Sequence, residues 1–371
     1  MKRIFSLGVS MFMVATFSLM AQAPSDNKAA LDAYNKGAEA LKKKDFPNAL
    51  TNFSKAIELD AKMATAYIGR GIVSNNQNKY PEALADFTKA ISIDPKLADA
   101  YANRGIASLK LNKNAEALAD FNKAIETDPK MSAPLVNRGI IYSGQNKIPE
   151  ALADFTKAIT VDPKDAVAYT QRGSIQSDLK KYTEAIADFT KATEIEPKMA
   201  DAFNGRAIVN YNQNKLPEAI ADFTKAIAAD PKSFKAHFNR GVANDDINKY
   251  AEAVADYTKA IELDPKDPDA LINRGSAYHK QSKYTEAIAD FTKAIEMNPK
   301  SAKAYSNRGL SLDEQKKFPE AIADYTKAIE LDPMLASAYY NRGIILKFMG
   351  KSEAASADFS KARDLKTNKA N

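Results

Sequence analysis

Polar and apolar residues alternate along this chain with two periods at once. At short range, apolar side chains fall at helical spacing: Tyr101, Ile106 and Leu109, then, after the polar break Asn112-Lys113-Asn114, Leu118, Phe121 and Ile125. At long range the whole pattern returns every 34 residues, in ten copies without insertion, beginning at Ala30, Ala64, Ala98, Ser132, Ala166, Ala200, Phe234, Pro268, Ala302 and Ala336. Each copy therefore predicts two antiparallel helices and a short turn. Numbered 1 to 34 within a copy, small residues recur at positions 8, 20 and 27 (Gly105, Ala117, Ala124) and large rings at 4 and 24 (Tyr101, Phe121). Proline closes the copy at position 32, as at Pro129, and opens the second helix at Pro47, Pro81, Pro149, Pro217 and Pro319, where a missing N–H costs nothing. The small residues let two helices approach at the near end of the usual range of about 8–10 Å, with the ring at 24 filling the space beside the contact.

This spacing resembles the tetratricopeptide repeat (TPR) family. The resemblance covers residues 30–369, with departures: the aromatic often found at position 11 is kept only at Tyr142 and Tyr278, the first copy has Ala61 for proline, and the sixth has Ala207 for glycine. It implies an all-α, right-handed superhelical solenoid of ten helix-turn-helix repeats, with first helices lining a concave side. One repeat cannot bury its own faces, so stability must come from stacking on neighbours.

The ends read differently. Lys2-Arg3 precede an apolar run from Ile4 to Leu19 and a small-residue stretch, the shape of a secretory signal peptide over residues 1–21, with cleavage expected after Ala21. The run is shorter than the roughly 20 residues a spanning helix needs. Residues 22–29 read as a polar linker and 370–371 as a tail. Export to the periplasm or outside the cell is the expectation. In the tenth repeat, positions 17, 21 and 28 turn polar (Ser352, Ser356, Arg363), which suits the end of an array.

Charge and chemistry add little. The formal charge of +6 is diffuse among 53 basic and 47 acidic residues, and no basic block marks a nucleic-acid surface. There is no cysteine, hence no disulfide or thiol chemistry. Of two histidines, His237 stands at a packing position and His279 has no second metal ligand beside it. The carboxylate pairs Asp245-Asp246 and Asp313-Glu314 read as an acidic rim or a solvated helix end. The glycines recur singly and form no phosphate loop. No catalytic, cofactor or metal residue is expected.

The triplet Asn-Arg-Gly recurs at 103–105, 137–139, 239–241, 273–275, 307–309 and 341–343. Arginine holds position 7 and aspartate position 23 in repeats two to ten, while the first repeat has Lys36 and Asn52. Loss of both together predicts an ion pair between the two helices of a repeat, such as Arg104 with Asp120; the rival reading is an arginine ladder for an acidic ligand. The amide at position 6 is the candidate for function. The resemblance implies that it faces the groove, where Asn103, Asn137, Asn239, Asn273, Asn307 and Asn341 would present donors and acceptors to a peptide backbone. The row is similar to the asparagine ladder of O-GlcNAc transferase and the importins; the competing reading is a structural amide that bridges helices. Positions 5 and 9 add apolar flanks, among them Phe238, Val242, Ile272, Leu310, Tyr340 and Ile344. The unbroken run in repeats seven to ten is the expected site. A clamp for a chaperone's C-terminal carboxylate is disfavoured, since position 5 has no lysine and position 9 no asparagine. The expected function is a non-catalytic adaptor for extended segments of partner proteins; the alternative is a structural subunit of an envelope or secretion assembly. The oligomeric state stays open.

Overall fold

The computed structural model describes residues 26–367; the expected leader, the first part of the polar linker, the last two residues of the tenth repeat and the tail lie outside them. The described residues form twenty helices in antiparallel pairs. They divide into two compact bodies, one ending at Pro197 and one beginning at Lys198.

In the first body, the leading helices of the five pairs are α1 (Lys28–Lys42), α3 (Ala64–Asn76), α5 (Ala98–Lys110), α7 (Ser132–Gly144) and α9 (Ala166–Asp178). Their partners are α2 (Phe46–Leu59), α4 (Tyr80–Ile93), α6 (Asn114–Thr127), α8 (Ile148–Val161) and α10 (Tyr182–Ile195). In the second body, α11 (Ala200–Asn212), α13 (Phe234–Asp246), α15 (Pro268–Lys280), α17 (Ala302–Glu314) and α19 (Ala336–Phe348) lead. Their partners are α12 (Leu216–Ala229), α14 (Tyr250–Leu263), α16 (Tyr284–Met297), α18 (Phe318–Leu331) and α20 (Ser352–Thr367).

Both turns have a local chemical cause. Between the helices of a repeat, position 15 takes the left-handed conformation in all ten copies, with φ from 58° at Lys44 to 76° at Gly350. Five of these residues are asparagine (Asn78, Asn112, Asn146, Asn214, Asn248), the side chain that tolerates this region best after glycine. The next amide closes the helix end, as where Lys79 N–H donates to the Ser74 carbonyl at 2.9 Å. Between repeats, the aspartate before the proline folds back on the chain: Asp94 Oδ1 accepts from the Lys96 amide, and Asp128 Oδ1 from the Lys130 amide, both at 2.9 Å.

Within a repeat the helices meet where the sequence is small. Ala117, Ala124, Ala151 and Ala158 are fully buried, as are the rings of Phe121 and Phe155. Each ring lies on the glycine of its own repeat. A Cβ added at Gly105 would stand 2.7 Å from Phe121 Cε1, and one at Gly139 2.8 Å from Phe155 Cε1. Gly69, a gap in the asparagine row, has the same cause one repeat removed, for a Cβ there would meet Phe53 at 2.5 Å.

Gly139→Ala sets a helix-propensity gain of about 1 kcal/mol against an overpacking cost of about 1–3 kcal/mol. A net loss of stability is expected. Adding Phe155→Leu should make the double variant more stable than the sum of the singles by about 1 kcal/mol. Denaturation followed by circular dichroism checks this, and strict additivity would show that the ring does not bear on the glycine.

Candidate functional site

The arginine of the triplet is held inside the array. Arg138 donates from Nε to Asp154 Oδ2 at 2.8 Å and from Nη2 to Oδ1 at 2.6 Å. The same two-pronged pair joins Arg70 to Asp86, Arg104 to Asp120, Arg172 to Asp188, Arg206 to Asp222, Arg274 to Asp290, Arg308 to Asp324 and Arg342 to Asp358. Arg240 reaches Asp256 in the same way. The aspartates are buried and the guanidinium groups mostly so. The hydrogen bond to the carboxylate, first among the causes, keeps Arg138 charged by raising its pKa.

The pair is also a tie between repeats. The remaining Nη1 reaches back to position 25 of the preceding repeat: Arg104 to Thr88 at 3.3 Å, Arg138 to Asn122 at 2.6 Å, Arg274 to Thr258 at 3.0 Å and Arg342 to Thr326 at 2.9 Å. A ring packs on the guanidinium as well. Tyr67, Tyr101 and Tyr305, at position 4, lie 5.6, 5.7 and 5.6 Å from theirs. Where position 4 is Leu135 or Leu271, the ring comes from Tyr142 or Tyr278, each at 5.8 Å. The aromatics at position 11 are thus replacements for a ring lost at position 4. His237, also at position 4, is buried with Nδ1 3.6 Å from Asp256 Oδ1.

The asparagine row divides. Asn103, Asn137, Asn239 and Asn273 are 1, 1, 0 and 3% exposed. Asn103 Nδ2 donates to the Asp99 carbonyl one turn back at 2.9 Å, and Asn137 Nδ2 to the Ala133 carbonyl at 3.0 Å. Asn307 and Asn341 are half-buried. Asn307 Nδ2 donates to Ser276 Oγ of the preceding repeat at 3.2 Å. The apolar flanks divide the same way: Phe238, Val242 and Ile272 are buried, Leu310 is half-buried, and Tyr340 and Ile344 are exposed. The cause is the neighbouring helix. Phe238 and Val242 pack with Ala270 and Ala277 of α15, and Ile68 and Ile72 with Ala100 and Ala107 of α5. No described helix follows α20 to cover Tyr340 and Ile344.

The carboxylate pairs also serve neighbours. Asp245, 1% exposed, accepts from Lys280 Nζ at 3.0 and 3.1 Å, and Asp246 accepts from the Tyr211 hydroxyl. Burial, more than the adjacent Glu314, raises the pKa of Asp313. Burial lowers that of His279, whose Nδ1 lies 3.0 Å from Ser311 Oγ. Among the described residues no cluster of three or more His, Cys, Asp or Glu side chains could hold a metal ion.

Family profiles decide the kinship. Tetratricopeptide repeat profiles match residues 98–131, 268–301 and 302–335, residues 136–200 and 170–234, and residues 336–368; a TPR repeat profile matches 75–112 and 246–282. The chain belongs to the tetratricopeptide repeat family. No curated protein matches it. Among solved structures, Pseudomonas aeruginosa pilF is 17% identical with a TM-score of 0.52 over 56% of this chain and 94% of its own. YrrB, described as a TPR protein with an unusual peptide-binding site, is 27% identical with a TM-score of 0.44 over 50% of this chain and 95% of its own. Yeast Tom70 is 16% identical with a TM-score of 0.40 over 92% of this chain and 93% of its own. The TPR fold is that of a protein-interaction scaffold, and its partners are proteins. No helix of the described residues is long and apolar enough to cross a membrane.

Asp154→Ala would strand a guanidinium that is only 20% exposed, at a cost on the order of 3 kcal/mol. Lys36→Ala, in the repeat without the pair, should stay within about 0.5 kcal/mol. Asp154→Arg should destabilise, and adding Arg138→Asp should recover part of the loss. Chemical denaturation of the four variants tests the tie; no recovery on charge exchange would rule it out.

Proposed function

We propose that this TPR protein is an exported, non-catalytic adaptor that holds extended segments of partner proteins on the exposed face of its last two repeats. One observation carries the reading. Tyr340, Ile344 and Phe348 fall one turn apart on α19 and are 47, 44 and 74% exposed, with Met349 beyond them at 43%. Contiguous apolar side chains of this size on a surface mark an interaction site. Asn307 and Asn341, at position 6 of the same two repeats, are half-exposed, as is Leu310, and would supply amides for a backbone. Lys366 Nζ lies 5.3 Å from the centre of the Tyr340 ring, which puts a cation at the edge of the face. A moderately apolar segment with an acidic residue suits these groups.

The residues that matter are therefore Asn307, Leu310, Tyr340, Asn341 and Ile344. Buried Asn103, Asn137, Asn239 and Asn273 serve the stack, because a peptide could reach them only by separating repeats.

Tyr340→Ser with Ile344→Ser should weaken capture of the partner at least tenfold, about 1.4 kcal/mol, while the thermal midpoint holds. A photo-crosslinking residue at position 340, placed in the native host, identifies the captured chain. Capture unchanged in the double variant would move the interaction elsewhere and favour the subunit-of-an-assembly reading. Export is tested by N-terminal sequencing of the protein from its host. A mature chain beginning at Gln22 is expected, and a retained Met1 would overturn export by cleavage.

A further inference from the structure

Two neighbouring cavities open at the surface of the first body, of about 440 and 320 Å³. Arg70, Ser74 and Lys79 line the first, together with the carboxylates of Glu82 and Asp86. Arg104, Ser108 and Lys113 line the second at the same repeat positions, 7, 11 and 16, together with Glu116 and Asp120.

The array shows elsewhere what such a space holds. In the fourth repeat position 11 is Tyr142, and its ring lies 5.8 Å from Arg138 Cζ and 5.6 Å from Lys147 Nζ. In the eighth, Tyr278 lies 5.8 Å from Arg274 Cζ and 5.9 Å from Lys283 Nζ. Arg138 and Lys147, like Arg274 and Lys283, are the counterparts of Arg70 and Lys79. Both times the arginine and the lysine lie over one aromatic ring, within cation–π distance of its centre. The other arginine-bearing repeats carry Gln176, Asn210, Asn244, Leu312 and Leu346 at position 11. Serine stands there only in the second and third repeats, which are adjacent. Tyr67 and Tyr101 pack on the same two arginines yet form no part of the cavity walls, so the seat between arginine and lysine stays open. Asp86 and Asp120 fix the guanidinium groups in place, which leaves each cavity preformed.

We propose that the two cavities are a paired seat for aromatic side chains of a partner polypeptide, each ring inserting between the arginine at position 7 and the lysine at position 16. Two like seats one repeat apart favour a chain bearing two rings, because the second ring binds at the high local concentration set by the first. This surface is separate from the face of α19, and either can fail without the other.

The chain has no tryptophan, so a tryptophan peptide reports its own binding by fluorescence. The probe is an acetylated, amidated peptide with two tryptophans among glycines and serines, titrated into the full chain. A saturable blue shift is expected, and its absence overturns the proposal. Ser74→Tyr with Ser108→Tyr copies the arrangement of Tyr142 and Tyr278; it should keep the thermal midpoint and weaken binding at least tenfold. Ser74→Ala with Ser108→Ala should leave binding intact, which separates a filled seat from a disturbed one. A peptide with one tryptophan should bind at least fivefold more weakly. Equal binding by N-acetyl-tryptophanamide would make this a site for small aromatic molecules, and equally effective competition by the same peptide with cyclohexylalanine in place of tryptophan would make it a plain apolar hollow; each overturns the proposal. Tyr340→Ser with Ile344→Ser should bind the probe like the unaltered protein, and loss there would assign the signal to α19.

Discussion

Nine of the ten repeats rest on one contact, an aromatic ring packed against a glycine. The ring at position 24 occupies the space where a Cβ at position 8 would project, as Phe121 does over Gly105. That contact sets how near the two helices come. The residues next to it in sequence, arginine at 7 and aspartate at 23, are then carried to within hydrogen-bonding distance. A buried aspartate is costly unless its charge is met and its oxygens are satisfied. The forked guanidinium meets both demands, and its third nitrogen fastens the repeat to the one before it. A neutral packing event thus positions a charged one, and the charged one joins repeat to repeat.

Stacking then decides which side chains can meet a partner. Positions 5 and 9 are apolar in the seventh repeat and in the tenth. Phe238 and Val242 are core because α15 lies over them, whereas Tyr340 and Ile344 are surface. The asparagine at position 6 follows the same rule: Asn239 is buried and Asn341 half-exposed. Residue type alone does not separate scaffold from site in such an array; place in the stack does.

This explains what could be read from the sequence. Helix pairs, the glycine contact and the ion pair join residues at a fixed separation inside one repeat, and the recurrence displays each many times. The loss of both partners at Lys36 and Asn52 was enough to pair Arg104 with Asp120. The burial of the asparagines was not legible, because it depends on a helix from the next repeat and on the angle at which that helix arrives. Other features left a signal that sequence reasoning missed. Position 25, sixteen residues before each arginine, carries Ser54, Thr88, Asn122 and Thr156, all able to accept its third hydrogen bond. Tyr142 and Tyr278 fall in the repeats that have leucine at position 4. Asparagine at position 15 marks the left-handed turn.

The useful information in a repeat array therefore lies in its departures from its own pattern. In a stack held by nearest-neighbour contacts, a change in one repeat is felt there and in the adjoining copies, so departures can accumulate independently. Some are compensated within the repeat, as when Tyr142 stands in for a ring absent at Leu135. Others remove no contact: Ser74 and Ser108 stand in repeats that keep Tyr67 and Tyr101 on the arginine, and each leaves a cavity lined by an arginine, a lysine and two carboxylates. A compensated departure preserves the scaffold. One that removes no contact leaves the stack intact and opens a hollow at its surface, which is the physical condition for a binding site.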